Sequence, residues 1–123
     1  MKEIYILGTL YIIEYRSIKK DRNLDTREGY TDLYKKQIII ANVEERDEFQ
    51  NESKEKIVKV KNKILRHEIV HAFLYESGLD VNSNDVESWA DNEEMVDWIA
   101  IQSPKILEVY KELGCLDEYK SKT

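Results

Sequence analysis

The chain has 123 residues, the size of one ordinary domain, and its 41% hydrophobic and 36% charged residues can form a single core beneath a densely charged surface. Its 25 acidic and 19 basic residues give a net charge of −6, which argues against a dedicated nucleic-acid binder because phosphate affinity comes mainly from clustered Lys and Arg. No apolar run approaches the roughly 20 residues of a membrane span, and the only cysteine, Cys115, excludes an internal disulfide and favours a reducing compartment. We therefore expect a soluble cytoplasmic protein without a signal peptide.

The first third of the chain is predicted to form a small antiparallel sheet. Two segments rich in Ile and Tyr, 4–7 and 10–15, flank Gly8-Thr9, a dipeptide that suits a tight hairpin. After a polar loop, segments 29–32 and 37–41 flank a short polar stretch and predict a second hairpin. Residues 1–43 are thus expected to be mainly β.

A long helix is predicted after the charged segment 44–55. Apolar residues recur at spacings of three and four from Ile57 to Tyr75, which is the pattern of one helical face. Ser53 or Asn51 can cap its start, and Gly78 is a natural residue at its end.

Two shorter helices are expected to follow. The second helix lies within 84–102 and begins either at Asn84 or near Asp91 and Asn92. Ser103-Pro104 should end it and start a third helix that stops at Gly114. The prediction is a single α+β domain over residues 1–123, with a small N-terminal antiparallel sheet packed on about three helices and with residues 52–114 mainly helical.

The most informative segment is His67-Glu68-Ile69-Val70-His71, an H-E-x-x-H sequence within the long predicted helix. Residues four apart on an α-helix lie on one face, so both imidazoles can bind one metal ion at about 2.0–2.1 Å. Glu68 then lies beside the metal, where a carboxylate can take a proton from a bound water. Both histidines of the chain belong to this motif, so we favour a metal site over a hydrogen-bonded structural His pair.

A catalytic zinc site needs a third protein ligand and one open position. The chain has no third histidine, so this ligand must be a carboxylate, and Glu93 is the best candidate because the residues before it allow a second helix to pack beside the first. Asp97, one turn after Glu93, can accept the N–H of a liganding histidine and fix its tautomer. Glu94 points to another side of the helix and is kept as the alternative ligand.

With these residues the sequence resembles the gluzincin metallopeptidases, in which an H-E-x-x-H helix is followed by a Glu ligand in an N-E-x-x-x-D pattern. Residues 92–97 match that pattern at every fixed position. Among small gluzincin-like proteins the chain looks most like the ImmA/IrrE group of phages, mobile elements and bacterial stress regulation, whose E-x-x-A-N/D-x-F-A run residues 93–100 follow loosely, with Val96 and Ile99 as departures. The resemblance implies a minimal zincin-like core that holds Zn²⁺ on His67, His71 and Glu93, with Glu68 as general base and Asp97 supporting a ligand.

The function that this resemblance implies is a zinc-dependent metallopeptidase that hydrolyses a peptide bond in a protein or peptide substrate, such as a regulator. By analogy with zinc peptidases, strand 37–41 is the expected edge for pairing with an extended substrate. One alternative is a non-catalytic, zinc-stabilised domain that binds a partner in a phage or mobile-element pathway. Another is a metal-free helical interaction module, which predicts no bound zinc.

Overall fold

The computed structural model describes residues 1–78 and 92–113, in which four strands form one sheet with the order β1-β2-β4-β3. Two antiparallel hairpins make up this sheet, and two helices accompany it, so the predicted α+β class is confirmed. The elements are β1 (Lys2–Ile6), β2 (Thr9–Arg16), β3 (Gly29–Asp32), β4 (Gln37–Ala41), α1 (Lys54–Glu76) and α2 (Glu93–Glu112).

The first hairpin turns through Leu7 and Gly8, since Ile6 pairs with Thr9. Both turn residues have positive φ, 49° for Leu7 and 88° for Gly8. This is the backbone that two-residue hairpins favour, because its twist matches that of the flanking strands. The turn therefore lies one residue earlier than the Gly8-Thr9 position predicted from sequence.

The expectation of a wholly antiparallel sheet is wrong in one respect: β2 and β4 pair in parallel, so the sheet is mixed. The segment between β2 and β3 carries the chain across the sheet, which places β4, and not β3, beside β2. β4 is therefore a central strand, and its residues 38–41 are all buried. An unbroken apolar run is typical of a strand covered on both faces, and this run is the sequence signal for that position.

The helix α1 begins where the sequence predicts. The hydroxyl of Ser53 accepts a hydrogen bond from the Lys56 N–H at 3.1 Å, and Gly78 follows the helix end with φ of 81°. Its buried face consists of Ile57, Ile64, Glu68 and Ala72, so the glutamate of the H-E-x-x-H motif lies within an apolar stripe.

The helix α2 starts at Glu93, and the side chain of Asn92 accepts a hydrogen bond from the Met95 N–H at 2.9 Å. The alternative start at Asn84 and the predicted end at Gly114 lie outside the described residues. The predicted break at Ser103-Pro104 is wrong, because α2 runs through Pro104. The described residues thus contain two α-helices where about three were expected.

Hydrogen bonds among four polar side chains connect the C-terminal end of α1 to the sheet. The carboxylate of Glu76 accepts hydrogen bonds from the Tyr11 hydroxyl at 2.7 Å, the Thr9 hydroxyl at 2.9 Å and the Lys36 ammonium at 3.0 Å. Burial raises the pKa of Glu76, but the hydrogen bonds from Tyr11, Lys36 and Thr9 outweigh it and hold the pKa below its usual value.

We expect Glu76→Gln to lower the free energy of unfolding by about 2 kcal/mol at pH 7, because hydrogen bonds to a charged group are lost. The folded pKa lies below the unfolded one, so this contribution is complete above about pH 4.5 and disappears as the pH falls through the folded pKa. Urea unfolding at several pH values measures the difference. Glu55→Gln, at an exposed carboxylate on the same helix, is the control. A difference between Glu76→Gln and the wild type that is independent of pH would contradict the assignment.

Candidate metal centre

The two histidines of the motif lie side by side on α1. Their ring centroids are 4.9 Å apart, and the ring planes meet at 67°. The side chains are 16% exposed for His67 and 22% for His71. One face of the helix therefore presents two imidazoles that a solvent ion can reach.

Glu93 lies at the first position of α2 and contacts both imidazoles. Its Oε1 is 2.8 Å from His71 Nε2, and its Oε2 is 3.2 Å from His67 Nε2. The Asn92 cap starts the helix immediately before Glu93, which fixes where this side chain leaves the backbone. Glu94 is exposed and faces a different depression, lined by Asn92, Met95 and Trp98, so the structure brings Glu93 and not Glu94 to the histidines.

The distances between the three candidate ligands fit a zinc ion. One ligand atom from each of His67, His71 and Glu93 lies within 4.8 Å of the other two. A tetrahedral ion with bonds of about 2.0–2.1 Å separates neighbouring ligand atoms by roughly 3.3 Å, close to the two nitrogen–oxygen distances above. The Glu93 side chain is 70% exposed, so its carboxylate has room for a small adjustment. Three protein ligands would leave one tetrahedral position open, as in catalytic zinc sites.

Asp97 contacts the opposite side of the His67 ring. Its Oδ1 is 3.3 Å from His67 Nδ1, and the same oxygen is 3.1 Å from the Lys63 ammonium. Burial raises the pKa of Asp97, but Lys63 and then His67 outweigh that effect and lower it, so the carboxylate stays charged. With a metal ion between Nε2 and Glu93, a charged acceptor at Nδ1 would keep the N–H of His67 there and leave the Nε2 lone pair for the metal.

Glu68 is buried, with 6% of the residue exposed, although it lines the same cleft as the histidines. Its Oε1 accepts a hydrogen bond from the Thr31 hydroxyl at 2.8 Å, and the same hydroxyl is 3.1 Å from the Glu68 carbonyl. Burial raises the pKa of Glu68, while Thr31 and the two histidines oppose this rise only in part. A carboxylate with a raised pKa is a stronger base than an exposed one, which suits proton transfer near neutral pH.

Thr31 is a residue of the site that the sequence analysis missed. It lies on β3, and its contact with Glu68 depends on how closely α1 approaches that strand. Gly29, on the same face of β3, permits this approach: a Cβ there would lie 2.9 Å from both the Ile39 carbonyl oxygen and Ile64 Cγ2. In the sequence, the Gly-x-Thr spacing indicates a contact between Thr31 and Glu68 only if β3 is already known to pack on α1.

The cleft around these residues has a volume of about 610 Å³ and lies between β3, α1 and the start of α2. β3 is an edge strand, whereas β4 (Gln37–Ala41) is central, so the expectation that strand 37–41 is the substrate-pairing edge is wrong. The Ala41 N–H donates to the Glu28 carbonyl at 2.8 Å, and antiparallel backbone groups alternate in direction. Gly29 and Thr31 therefore turn their N–H and C=O groups away from β4.

We expect Thr31→Val to lower the free energy of unfolding by about 1–3 kcal/mol, because the variant keeps the shape of the side chain but leaves the buried Glu68 without its donor. Zinc affinity should stay within about threefold of the wild type, since Thr31 contacts none of the candidate ligands. Denaturant unfolding and competition with a chelator measure these quantities. Thr31→Ser retains the hydroxyl and should restore most of the stability. Equal losses in Val and Ser variants would show that the hydrogen bond is not the cause.

Comparisons with known protein families, with curated proteins and with solved structures found no match to this chain. Within the ranges 1–78 and 92–113, no helix is long and apolar enough to cross a membrane. The arrangement of the two histidines, the two glutamates, Asp97 and Thr31 is therefore the basis on which a function can be inferred.

Proposed function

We propose that this protein is a zinc-dependent metallopeptidase that hydrolyses peptide bonds in an extended segment of another protein. The observation that carries the proposal is the convergence of His67, His71 and Glu93 beside the buried Glu68 in a single cleft. The resemblance of the motif and of residues 92–97 to the gluzincins, and to the ImmA/IrrE group in particular, supports the same activity. The lone Cys115 favours a reducing compartment, so we propose a cytoplasmic location.

Each residue of the site has a distinct role in this proposal. Zinc, when bound, supplies Lewis acidity and an activated water nucleophile. Glu68 accepts the proton of the attacking water and delivers it to the departing amine. Thr31 holds the Glu68 carboxylate in place, and Asp97 keeps His67 in the tautomer that binds metal.

The proposed substrate class is an extended chain, because β3 offers an edge beside the catalytic residues. Gly29 and Thr31 turn backbone donors and acceptors outward, and no described strand pairs with that side of β3. A peptide can add to such an edge through main-chain hydrogen bonds that do not depend on its sequence. The cleft would then hold a segment that is already unfolded or that lies in a flexible loop.

The alternative function is a non-catalytic, zinc-stabilised binding or regulatory domain of a phage or mobile element. The observation that favours it is that Glu93 belongs to α2 while both histidines belong to α1, so a metal here would also join the two helices. The two functions differ in the fourth coordination position. Water in that position supports hydrolysis, and a fourth protein ligand supports a structural role.

The proposal is tested with the full chain purified in the presence of zinc. We expect elemental analysis to find one zinc per chain and X-ray absorption to find two imidazoles, carboxylate oxygen and water around it. We also expect the protein to cleave members of an unstructured peptide library, to lose this activity with a chelator and to regain it with added zinc. Zinc with four protein ligands and no cleavage would favour the alternative function. A chain that binds no zinc would contradict both.

A further inference from the structure

A proline lies in the interior of α2, where it removes one hydrogen bond of the helix. Pro104 has no N–H to donate to the carbonyl one turn earlier, which belongs to Ala100. Ala100 is fully buried, so an unpartnered carbonyl at this position would be costly. The continuity of α2 through Pro104 therefore requires another donor for this oxygen.

Arg66 supplies that donor from the neighbouring helix. Its Nε–H donates to the Ala100 carbonyl at 2.7 Å, in the short range of charge-assisted hydrogen bonds. Arg66 directly precedes His67 on α1, so the bond begins next to a candidate ligand. Across residues 1–78 and 92–113, it is the only hydrogen bond from an α1 side chain to the α2 backbone.

We propose that Arg66 and Pro104 act together as a register lock, which we define as the bond from Arg66 to the carbonyl that Pro104 leaves without its helical donor. The lock fixes the position of α2 along α1 and so places Glu93 and Asp97 against the histidines. This inference rests on the proposed metal site. Arg66 is a positioning residue in it, because it touches none of the ligand atoms.

Helix geometry shows why the register matters. A slip of one residue moves a helix by about 1.5 Å along its axis and turns each side chain by about 100°. Such a slip would carry the Glu93 carboxylate away from both imidazoles, which it now contacts at 2.8 and 3.2 Å. Glu93 is two turns before Ala100 on the same rigid helix, so fixing one residue fixes the other.

Outside the contacts of Glu93 and Asp97 with the histidines, the other contacts between the helices hold the register less strictly. Among the described side chains of α2, the buried ones are Val96 and Ala100; both are small, and apolar contacts are not directional. The ion pair of Lys63 with Asp97 has side chains that are 43% and 38% exposed, and such surface pairs contribute little. A directional bond to a buried carbonyl is therefore the contact best able to define the register.

The test measures zinc affinity of the full chain by competition with a chromophoric chelator. Arg66→Met keeps the aliphatic stem but removes the donor, and we expect it to weaken zinc binding roughly tenfold, at the lower end of losses seen for groups that support metal ligands. Lys59→Met removes the same charge from an exposed position on α1 and should stay within about twofold of the wild type. Arg66→Lys retains an N–H donor and should recover part of the loss.

The second arm of the test uses Pro104→Ala, which restores the N–H that donates to the Ala100 carbonyl. In the Pro104→Ala background, the N–H of residue 104 donates to the Ala100 carbonyl. We therefore expect Arg66→Met to change zinc affinity by less than about twofold in this background. The same restored bond keeps the double variant folded, which thermal unfolding without zinc verifies. Coupling between residues 66 and 104 should also appear in the unfolding midpoints.

The outcomes separate this inference from the proposed function. An unchanged affinity in Arg66→Met, or an equal loss with and without Pro104→Ala, would overturn the register lock while leaving the metal site intact. A wild-type chain that binds no zinc would contradict the metal site and the positioning role together. The coupling of residues 66 and 104 in unfolding, measured without zinc, would still show whether the bond itself exists.

Discussion

Glu68→Gln is expected to lower the rate constant for peptide hydrolysis by about 10²–10⁴-fold, the range typical of a lost general base. Glutamine has the same shape, and its amide oxygen can accept the Thr31 hydrogen bond, but it cannot take a proton from water. Zinc content should remain at one ion per chain because Glu68 is not among the candidate ligands. Initial rates on a cleaved peptide and elemental analysis of the same sample check both statements.

The control for this variant is Glu55→Gln, which makes the same chemical change at an exposed position of α1. It should leave the rate and the zinc content at their wild-type values. Full hydrolysis by Glu68→Gln with zinc bound would remove Glu68 from the role of general base. Loss of zinc from Glu68→Gln would show that this carboxylate serves the metal and not the proton transfer.

Glu93→Ala is expected to weaken zinc binding by more than about 100-fold, beyond the losses caused by removing groups that only support a ligand. The reason is that the variant removes one of the three candidate ligands, the only one that α2 contributes among the described residues. Competition with a chelator of known affinity measures the loss, and hydrolysis should fall in parallel as zinc leaves. Glu93→Gln offers a neutral oxygen, which is a weaker ligand, so its zinc affinity should lie between that of the wild type and that of Glu93→Ala.

Glu94→Ala is the matched control, because it removes an adjacent carboxylate that lines a different depression. Its zinc affinity should remain within about threefold of the wild type. A large loss in Glu94→Ala together with an unaffected Glu93→Ala would reverse the assignment of the third ligand. The pair therefore decides between the two glutamates that the sequence alone left open.

Features encoded by short spacings in the chain could be predicted before the structure was known. The i, i+4 spacing places His67 and His71 on one face, and the helix caps at Ser53 and Asn92 are local hydrogen bonds within a single turn. A carboxylate as the third ligand followed from chemistry, because a catalytic zinc site needs a third ligand and the chain has no third histidine. Glu93 was preferred because the residues before it leave room for a second helix, and Glu94 stayed the alternative. These parts of the prediction depend on residues near each other in sequence or on the requirements of a metal.

The parts that could not be predicted depend on contacts between distant residues. The parallel pairing of β2 with β4 is set by the path of the crossover, for which the sequence offers only the apolar run of residues 38–41. The hydrogen bond from Thr31 to Glu68 requires the close packing of α1 on β3 that Gly29 allows. The helix passes through Pro104, and Arg66 donates to the Ala100 carbonyl that Pro104 leaves without its helical donor, whereas local rules predict a break there.

The division of the candidate site between two structural units has a kinetic consequence. Glu68 and both histidines belong to α1, which Glu76 and Thr31 tie to the sheet, whereas Glu93 belongs to α2, whose principal contacts are with α1. Detachment of α2 alone removes one ligand and leaves the strands intact. We therefore expect the residence time of a bound ion to be set by a partial opening whose free energy is smaller than that of global unfolding, so that the ion would exchange while the sheet stays folded.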